Sequence, residues 1–160
     1  MMDYHDNEWG VPCHDDQALF ERLTLETMQA GLSWATILNK RENFREAFDN
    51  FDIQTVAHYD EAKVQSLLQN EGIIRNQLKI RATIANANAI LAIQEKYGSF
   101  YAFCWSFVDH KPIINEYTTM AEVPAFTPLA EKFRNALLKK GFKFVGPTIV
   151  YSFMQSVGMV

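Results

Sequence analysis

The sequence predicts an all-α protein, and three observations support this prediction. Apolar residues recur at spacings of three and four along most of the chain, which is the period of a buried helix face. Aspartate and serine precede these runs where helix caps belong, and glycines follow them. No segment shows the sustained two-residue alternation that is typical of a strand. We expect one helical domain over residues 1–160, because a chain of 160 residues has the usual size of a single domain.

The N-terminal half is predicted to hold five helices that are joined by short turns. Their starts mostly carry a residue whose side chain accepts a hydrogen bond from a free backbone N–H group of the first turn. Glycine ends the first and the last of them, as it commonly does. The predicted helices begin near Asp15 and Asp16, Ser33, Glu42, Asp52 and Asp60, and the ends are placed at Gly31, Phe48 and Gly72.

The C-terminal half is predicted to hold four more helices. The first is rich in alanine, isoleucine and leucine, and the second is aromatic. The last two start with proline, which suits the first helical position because its missing N–H group would have no partner there. The segments are a helix over about 76–97 ended by Gly98, a helix over 99–108, an irregular stretch over 111–127, and helices from Pro128 to Gly141 and from Pro147 to Gly158.

Charge and cysteine usage bound the class of protein. The net charge is −4, whereas a non-specific nucleic-acid binder is usually basic, so any DNA contact requires a local basic face. Two clusters of basic residues could form such a face, although both patterns are also typical of solvated helix faces. They are Arg75, Lys79 and Arg81, and Lys132, Arg134, Lys139, Lys140 and Lys143. Cys13 and Cys104 form no paired motif, and no run reaches transmembrane length, so we expect a cytoplasmic protein without a membrane partner.

A glycine-centred turn at Gly72 joins two predicted helices. Such a hairpin binds DNA when its backbone N–H groups and the following helix N-terminus face a phosphate. Glycine allows close approach of the backbone and tolerates a positive φ. Arg75 and Lys79 are four residues apart on the second helix, where they would flank the phosphate together with the turn residues Gly72 and Ile73. Taken alone, this pattern is more typical of an ordinary helical hairpin.

Five motifs together resemble the DNA-3-methyladenine glycosylase I family. They follow one another in order and span nearly the whole chain. Long motifs with tryptophan, glycine and histidine at fixed offsets rarely arise by chance. The motifs are YHDNEWGVP at residues 4–12, LETMQAGLSW at 25–34, GIIR at 72–75, WSFV at 105–108 and GFKFVGPT at 141–148.

The resemblance implies a helix-hairpin-helix DNA glycosylase fold, flipping of the damaged base, and hydrolysis of the N-glycosidic bond of 3-methyladenine in double-stranded alkylated DNA. In the family, the glutamate of the second motif contacts the flipped base, and here it is Glu26. The aromatic residues of the first two motifs, Tyr4, Trp9 and Trp34, are similar to residues that line the base pocket. Gln29 lies on a similar helix face to Glu26, and we expect it to line the same pocket.

These residue types suit a cationic base. An N3-methylated adenine that is still bonded to the sugar carries a positive charge, and flat aromatic faces attract a cation by about 0.5–2 kcal/mol per favourable ring. A carboxylate accepts from the exocyclic amine and favours the charged base. Without the family motifs, core packing explains the aromatic residues equally well, and a surface position is the commoner fate of a glutamate. Lys143 is expected to touch phosphate or product, with an ordinary surface lysine as the alternative.

The resemblance also implies a zinc site, which has two cysteine and two histidine ligands in the family, and His5 matches one of these ligands. The other three positions fall outside the residues of this chain, which looks shortened at both ends. A structural zinc site needs about four protein ligands. We therefore expect no cofactor in this chain and a structural zinc ion only where the missing ligands are restored.

Two functions of different class follow from these residues. The first is an active, monomeric glycosylase that excises 3-methyladenine in base excision repair. The second is a non-catalytic module that binds alkylated DNA or 3-methyladenine and has lost turnover with its terminal segments. The presence of Glu26 and Trp34 favours the enzyme, and the absent zinc ligands favour the binding module.

Overall fold

The computed structural model describes residues 15–29, 32–108, 128–143 and 145–157, and this part of the chain is all-α, as predicted. Nine α-helices occur within these ranges. They are α1 (Asp16–Gln29), α2 (Trp34–Asn39), α3 (Arg41–Ala47), α4 (Ile53–Ala57), α5 (Glu61–Leu68), α6 (Gln77–Tyr97), α7 (Phe100–Trp105), α8 (Pro128–Lys139) and α9 (Pro147–Ser156). Short 3-10 turns follow α3 at Asp49–Phe51 and α7 at Ser106–Val108.

Helix starts follow the predicted caps closely. The side chains of Ser33, Asp52 and Asp60 each accept the backbone N–H group three residues later, at 3.2, 3.1 and 2.9 Å. Asp15 does the same for Ala18 at 2.9 Å. These bonds satisfy N–H groups that the first turn of a helix leaves without an intrahelical acceptor.

Asp16 departs from its predicted role as a cap of its own helix. One carboxylate oxygen accepts from the backbone N–H group of Tyr101, and the other accepts from that of Phe100 and from the Gln94 side chain, all at 2.8 Å. Its negative charge therefore lies at the N-terminus of α7, where the helix dipole favours an anion. The first residue of α1 thus ties α1 to both α6 and α7.

Glycines mark two helix ends as predicted, whereas another predicted end is wrong. Gly98 and Gly141 have positive φ values of 88° and 94°, which only glycine adopts without strain. The helix predicted to run from Asp60 to Gly72 instead ends at Leu68, and an eight-residue turn separates it from α6. Gly31 and Gly158 lie outside the described residues.

Two helices form the centre of the fold. α1 packs against α2, α6, α7 and α9, and α6 packs against α4, α5 and α7 as well. Their apolar side chains merge with a group of fully buried phenylalanines into one core. At about 1.5 Å per residue, α6 is roughly 31 Å long, so it links the turn before it to the far side of the core. No helix of the described ranges combines the length and apolar character needed to cross a membrane.

Candidate functional site

Helix α1 carries polar side chains into the core. Because it is surrounded by other helices, polar residues on several of its faces are withdrawn from water. A buried polar group is costly unless it is hydrogen-bonded, so each of these residues needs a partner or a function. The buried polar residues of α1 are Glu21, Arg22, Thr24, Glu26 and Thr27.

Glu26 is the least compensated of these residues. It is only 3% exposed, and its Oε1 atom has no hydrogen-bond partner among the described residues. Burial raises the pKa of its carboxyl group to about 8, and the charge of Arg22, one turn earlier on α1, opposes this only in part. Glu26 is therefore a poorly solvated carboxyl group that gains from a ligand able to donate a hydrogen bond or to bring a positive charge.

Glu21, on the same helix, shows the opposite behaviour. It receives hydrogen bonds from the guanidinium groups of Arg41 and Arg45 at 2.9 and 3.0 Å. Burial alone would raise the pKa of its carboxyl group, but the bonds from Arg45 and Arg41 outweigh burial and lower the pKa. This ion cluster lines a cleft of about 470 Å³ and joins α1 to α3. Glu21 is thus a carboxylate that holds two helices together, whereas Glu26, later on the same helix, has no comparable ion pair with an arginine among the described residues.

Gln29 and Trp34 lie on the two sides of the connection that follows α1. The amide nitrogen of Gln29 donates to the carbonyl of Leu32 at 2.6 Å, so the side chain bridges this connection. Trp34 opens α2 and is half-buried against the core. Both remain candidates for the pocket, although the amide nitrogen of Gln29 already donates one hydrogen bond within the protein.

The prediction that Lys79 flanks a DNA phosphate is corrected by the structure. Lys79 is 6% exposed, and its Nζ donates to the carbonyl of Met28 at 2.9 Å. The helical period places Lys79, Thr83 and Asn86 on the buried side of α6, where Lys79 meets the C-terminal turn of α1. Burial lowers the pKa of the amine, and the bond holds α1 in place two residues after Glu26.

The turn before α6 has the features of an anion-binding hairpin. Ile73 is buried and anchors the turn in the core, whereas Arg75 is exposed. The side chain of Asn76 caps α6 at the N–H group of Lys79, which leaves the N–H groups of Gln77 and Leu78 without an intrahelical acceptor. Arg75 therefore lies close in sequence to two backbone donors at the start of α6, and a phosphate contact at this turn stays a prediction.

Gly72 serves this turn by its size and not by its backbone conformation. Among the described residues only Gly98 and Gly141 are glycines with a positive φ. A Cβ atom on Gly72 would lie 3.1 Å from Cγ and Nδ2 of Asn43, which is closer than nearly all real contacts. Gly72 therefore leaves room for the side chain of Asn43 of α3, which a larger residue at this position would have to displace by a few tenths of an ångström.

Arg81 belongs to the pair of helices that carries the turn. Its guanidinium group donates to the carboxylate of Glu61 at 2.6 and 3.0 Å. The pair joins α5 to α6 on either side of the turn. Arg81, which the sequence grouped with a basic surface, is thus engaged within the hairpin.

Some predicted residues lie outside the described ranges, namely Tyr4, His5 and Trp9. The described residues supply no group of three or more histidine, cysteine, aspartate or glutamate side chains that would hold a metal ion. His5, the one zinc ligand that the family resemblance implies in this chain, lies outside the described residues, so the expectation of no zinc stays a prediction.

Sequence reasoning missed Arg22, Thr83, Asn86 and Asn43. A signal for the two residues of α6 existed, because Lys79, Thr83 and Asn86 recur at spacings of four and three within a helix whose other inward positions are apolar. Lys143, by contrast, is exposed as predicted, and its backbone is bonded to Asn86. Asn43 gave no comparable signal, because its contact with Gly72 joins distant parts of the chain.

Comparison with known proteins adds a family to this geometry. The model of the methyladenine glycosylase family matches residues 1–160. DNA-3-methyladenine glycosylase 1 of Escherichia coli (strain K12) is 51% identical over 157 residues, which cover 98% of this chain and 84% of that protein. DNA-3-methyladenine glycosylase of Haemophilus influenzae is 46% identical over 159 residues, which cover 99% of this chain and 86% of that protein.

A solved structure shows the same likeness in three dimensions. It describes the structural basis of 3-methyladenine recognition by 3-methyladenine DNA glycosylase I from Staphylococcus aureus, and it matches with a TM-score of 0.95 and 37% identity. The match covers 99% of this chain and 84% of that one. The similarity therefore extends over all the described helices.

Proposed function

The chain belongs to the methyladenine glycosylase family, and from this premise we propose how its residues excise 3-methyladenine from alkylated DNA. Its fold is the helix-hairpin-helix glycosylase fold of its relatives, and its activity is that of a base excision repair N-glycosylase. Its partners are accordingly alkylated DNA and 3-methyladenine. The roles of individual residues that follow are part of the proposal.

The burial of Glu26, whose Oε1 has no hydrogen-bond partner within the part of the chain that the structure describes, is the observation that carries the proposal. A damaged base must leave the helix stack before its glycosidic bond can be reached. When a cationic base enters beside Glu26, its charge and its exocyclic amine supply what the buried carboxyl group lacks. The carboxyl group then ionises at neutral pH, and the resulting ion pair selects a methylated base over neutral adenine.

Most of the proposed rate enhancement comes from selective binding of the cationic base. Water adds its oxygen to C1′ of the sugar and loses a proton, the bond from C1′ to N9 breaks, and its electron pair neutralises the positive charge of the base. A cationic base is a good leaving group, so binding energy spent on holding it in a strained position suffices for rate enhancement. Glu26 acts on the base and not on the water.

Aromatic residues complete the proposed pocket. Trp34 is half-buried against the core at the start of α2, beyond the connection that Gln29 closes. Tyr4 and Trp9 are assigned to the same pocket by the family motif alone. Each ring face contributes about 0.5–2 kcal/mol toward a cation.

The hairpin supplies the contact with the DNA backbone. The N–H groups of Gln77 and Leu78, which have no intrahelical acceptor, and the exposed Arg75 are proposed to bind phosphate, whereas the buried Ile73 fixes the turn. Exposed Lys143 is proposed to touch phosphate as well. The protein acts as a monomer in the cytoplasm, where its DNA substrate lies, and without a cofactor.

Release of 3-methyladenine from methylated double-stranded DNA tests the proposal. We expect the wild-type chain to release free base and Glu26→Gln to release at least 100-fold less, because the amide cannot ionise beside the cation. Glu95→Gln, the same change on an exposed position of α6, is expected to act like wild type. A folded wild-type chain that binds 3-methyladenine or alkylated DNA but releases none would instead be the non-catalytic binding module.

A further inference from the structure

Asn43 packs on the hairpin turn from a different part of the chain. It lies on α3, and its Cβ, Cγ and Nδ2 atoms lie 3.1–3.2 Å from the point where a Gly72 side chain would begin. The φ of Gly72 is outside the left-handed region, so the backbone alone would accept other residues. The absence of a side chain at Gly72 therefore makes room for Asn43.

The amide of Asn43 is available to a ligand. The residue is exposed, and its side chain has no hydrogen bond to any described residue. An asparagine amide offers two N–H donors. The close fit against Gly72 limits its rotamers, so these donors are held at the turn and have no acceptor among the described residues.

The segment from Gly72 to the start of α6 carries further donors. The N–H groups of Gln77 and Leu78 have no intrahelical acceptor, and Arg75 is exposed. The N–H groups of Gly72 and Ile73 are engaged within the turn, because they donate to Oδ1 of Asn70 at 2.8 Å and to its carbonyl oxygen at 3.5 Å. Asn43 thus places a donor beside a part of the turn whose own N–H groups are already used.

We propose that Asn43 is part of the DNA interface, and that its amide donates a hydrogen bond to a phosphate oxygen of the strand bound by the hairpin. Asparagine side chains are common phosphate ligands, and such contacts set the position of a protein on the duplex without reading its sequence. Gly72 is then required because it admits Asn43 to this position. The inference rests on the proposed function, since it needs the hairpin to bind DNA.

The affinity for an undamaged duplex of about 20 base pairs, measured by fluorescence anisotropy, tests the inference. We expect Asn43→Asp to weaken binding at least tenfold, because it replaces the amide donor with a carboxylate of similar size that repels phosphate. We expect Asn43→Ala to weaken binding about threefold to tenfold. Asn135→Asp makes the same charge change at an exposed position of α8 and is expected to lower affinity less than twofold. Binding of free 3-methyladenine and the thermal midpoint should stay at wild-type values in all three variants.

Gly72→Ala provides the second arm of the test. Its Cβ would push Asn43 aside, so we expect it to weaken binding as much as Asn43→Ala does. In the double variant, Asn43→Ala removes Cγ and Nδ2, the two atoms closest to that Cβ, and affinity should stay within twofold of that of Asn43→Ala alone.

The outcomes separate this inference from the proposed function. If Asn43→Asp and Asn135→Asp bind DNA equally well while the wild-type chain releases 3-methyladenine, only the role of Asn43 is overturned. If Gly72→Ala and Asn43→Ala weaken binding independently and their effects multiply, the coupling through close packing is overturned. If the folded wild-type chain neither binds a duplex nor releases base, both proposals are overturned together.

Discussion

The side chain of Asn86 binds both backbone polar groups of Lys143, which is 57 residues away in sequence. Its Oδ1 accepts from the N–H group of Lys143 at 2.7 Å, and its Nδ2 donates to the carbonyl oxygen at 3.1 Å. Asn86 is 2% exposed and lies on the same face of α6 as Lys79 and Thr83. The buried amide therefore positions the connection between α8 and α9, whose exposed lysine is proposed to contact DNA.

Replacing Asn86 with alanine is expected to destabilise the protein by about 1–3 kcal/mol, because two partly buried backbone groups lose their partner. Asn135→Ala at an exposed position of α8 serves as the control and should change the free energy of unfolding by no more than about 0.5 kcal/mol. Urea unfolding measures both. Equal stabilities for the two variants would show that the bonds between Asn86 and Lys143 contribute nothing net.

Glu26 is expected to make stability fall as the pH rises. Its pKa is near 4.5 in the unfolded chain and about 8 in the folded protein. Between these values the unfolded state has already lost the proton while the folded state keeps it, so its contribution to stability is complete below pH 4.5 and is lost by the time the pH exceeds 8. Glu26→Gln cannot ionise and escapes this loss.

Thermal unfolding from pH 5 to pH 8.5 measures the effect. The melting temperature of Glu26→Gln relative to wild type should rise by at least about 3 °C across this range, given roughly 2–4 °C per kcal/mol for a chain of this size. Glu95→Gln should show a constant difference from wild type. If the difference in melting temperature between Glu26→Gln and wild type does not change with pH, the Glu26 carboxyl group is already ionised in the folded protein.

Glu21 is expected to make stability fall as the pH falls, which is opposite to the effect of Glu26. The bonds from Arg45 and Arg41 lower its pKa below the ordinary value of 4.5, so its contribution is present above that value and is lost as the pH falls through the folded pKa. Glu21→Gln breaks a buried ion cluster and should cost about 3 kcal/mol at pH 7. Denaturant unfolding at pH 7 and at pH 3 is the measurement, and the cost should shrink at pH 3. A cost that is the same at both values would contradict the assignment of charge to Glu21.

Arg75 and Lys79 are expected to differ in their effect on DNA binding. Each phosphate contact contributes about 0.9 to the slope of log affinity against log salt concentration. Arg75→Met should reduce that slope by about one contact, whereas Lys79→Met should leave it unchanged because the amine lies in the core against Met28. A reduced slope for Lys79→Met would restore Lys79 to the DNA interface.

Local structure was largely predictable from the sequence because its causes are local. A cap needs only a side chain three residues before the N–H group that it binds, as at Ser33 and Asp60. The buried environment of Glu26 was implied by its motif but by no periodic pattern, since a glutamate in an amphipathic helix is usually exposed. The resemblance to the family identified this residue, whereas its burial and the raised pKa of its carboxyl group emerged only from the structure.

The sequence by itself determined the all-α fold, most helix boundaries and the family, because capping, apolar periodicity and motif order are properties of neighbouring residues. The tertiary structure alone decided which charged side chains face inward. Lys79 and Arg75 look alike in sequence, yet the packing of α6 against α1 buries the first and leaves the second exposed. It also decided that Asn43 lies on Gly72 and that Asn86 binds Lys143, because contacts between distant segments depend on how the helices pack together.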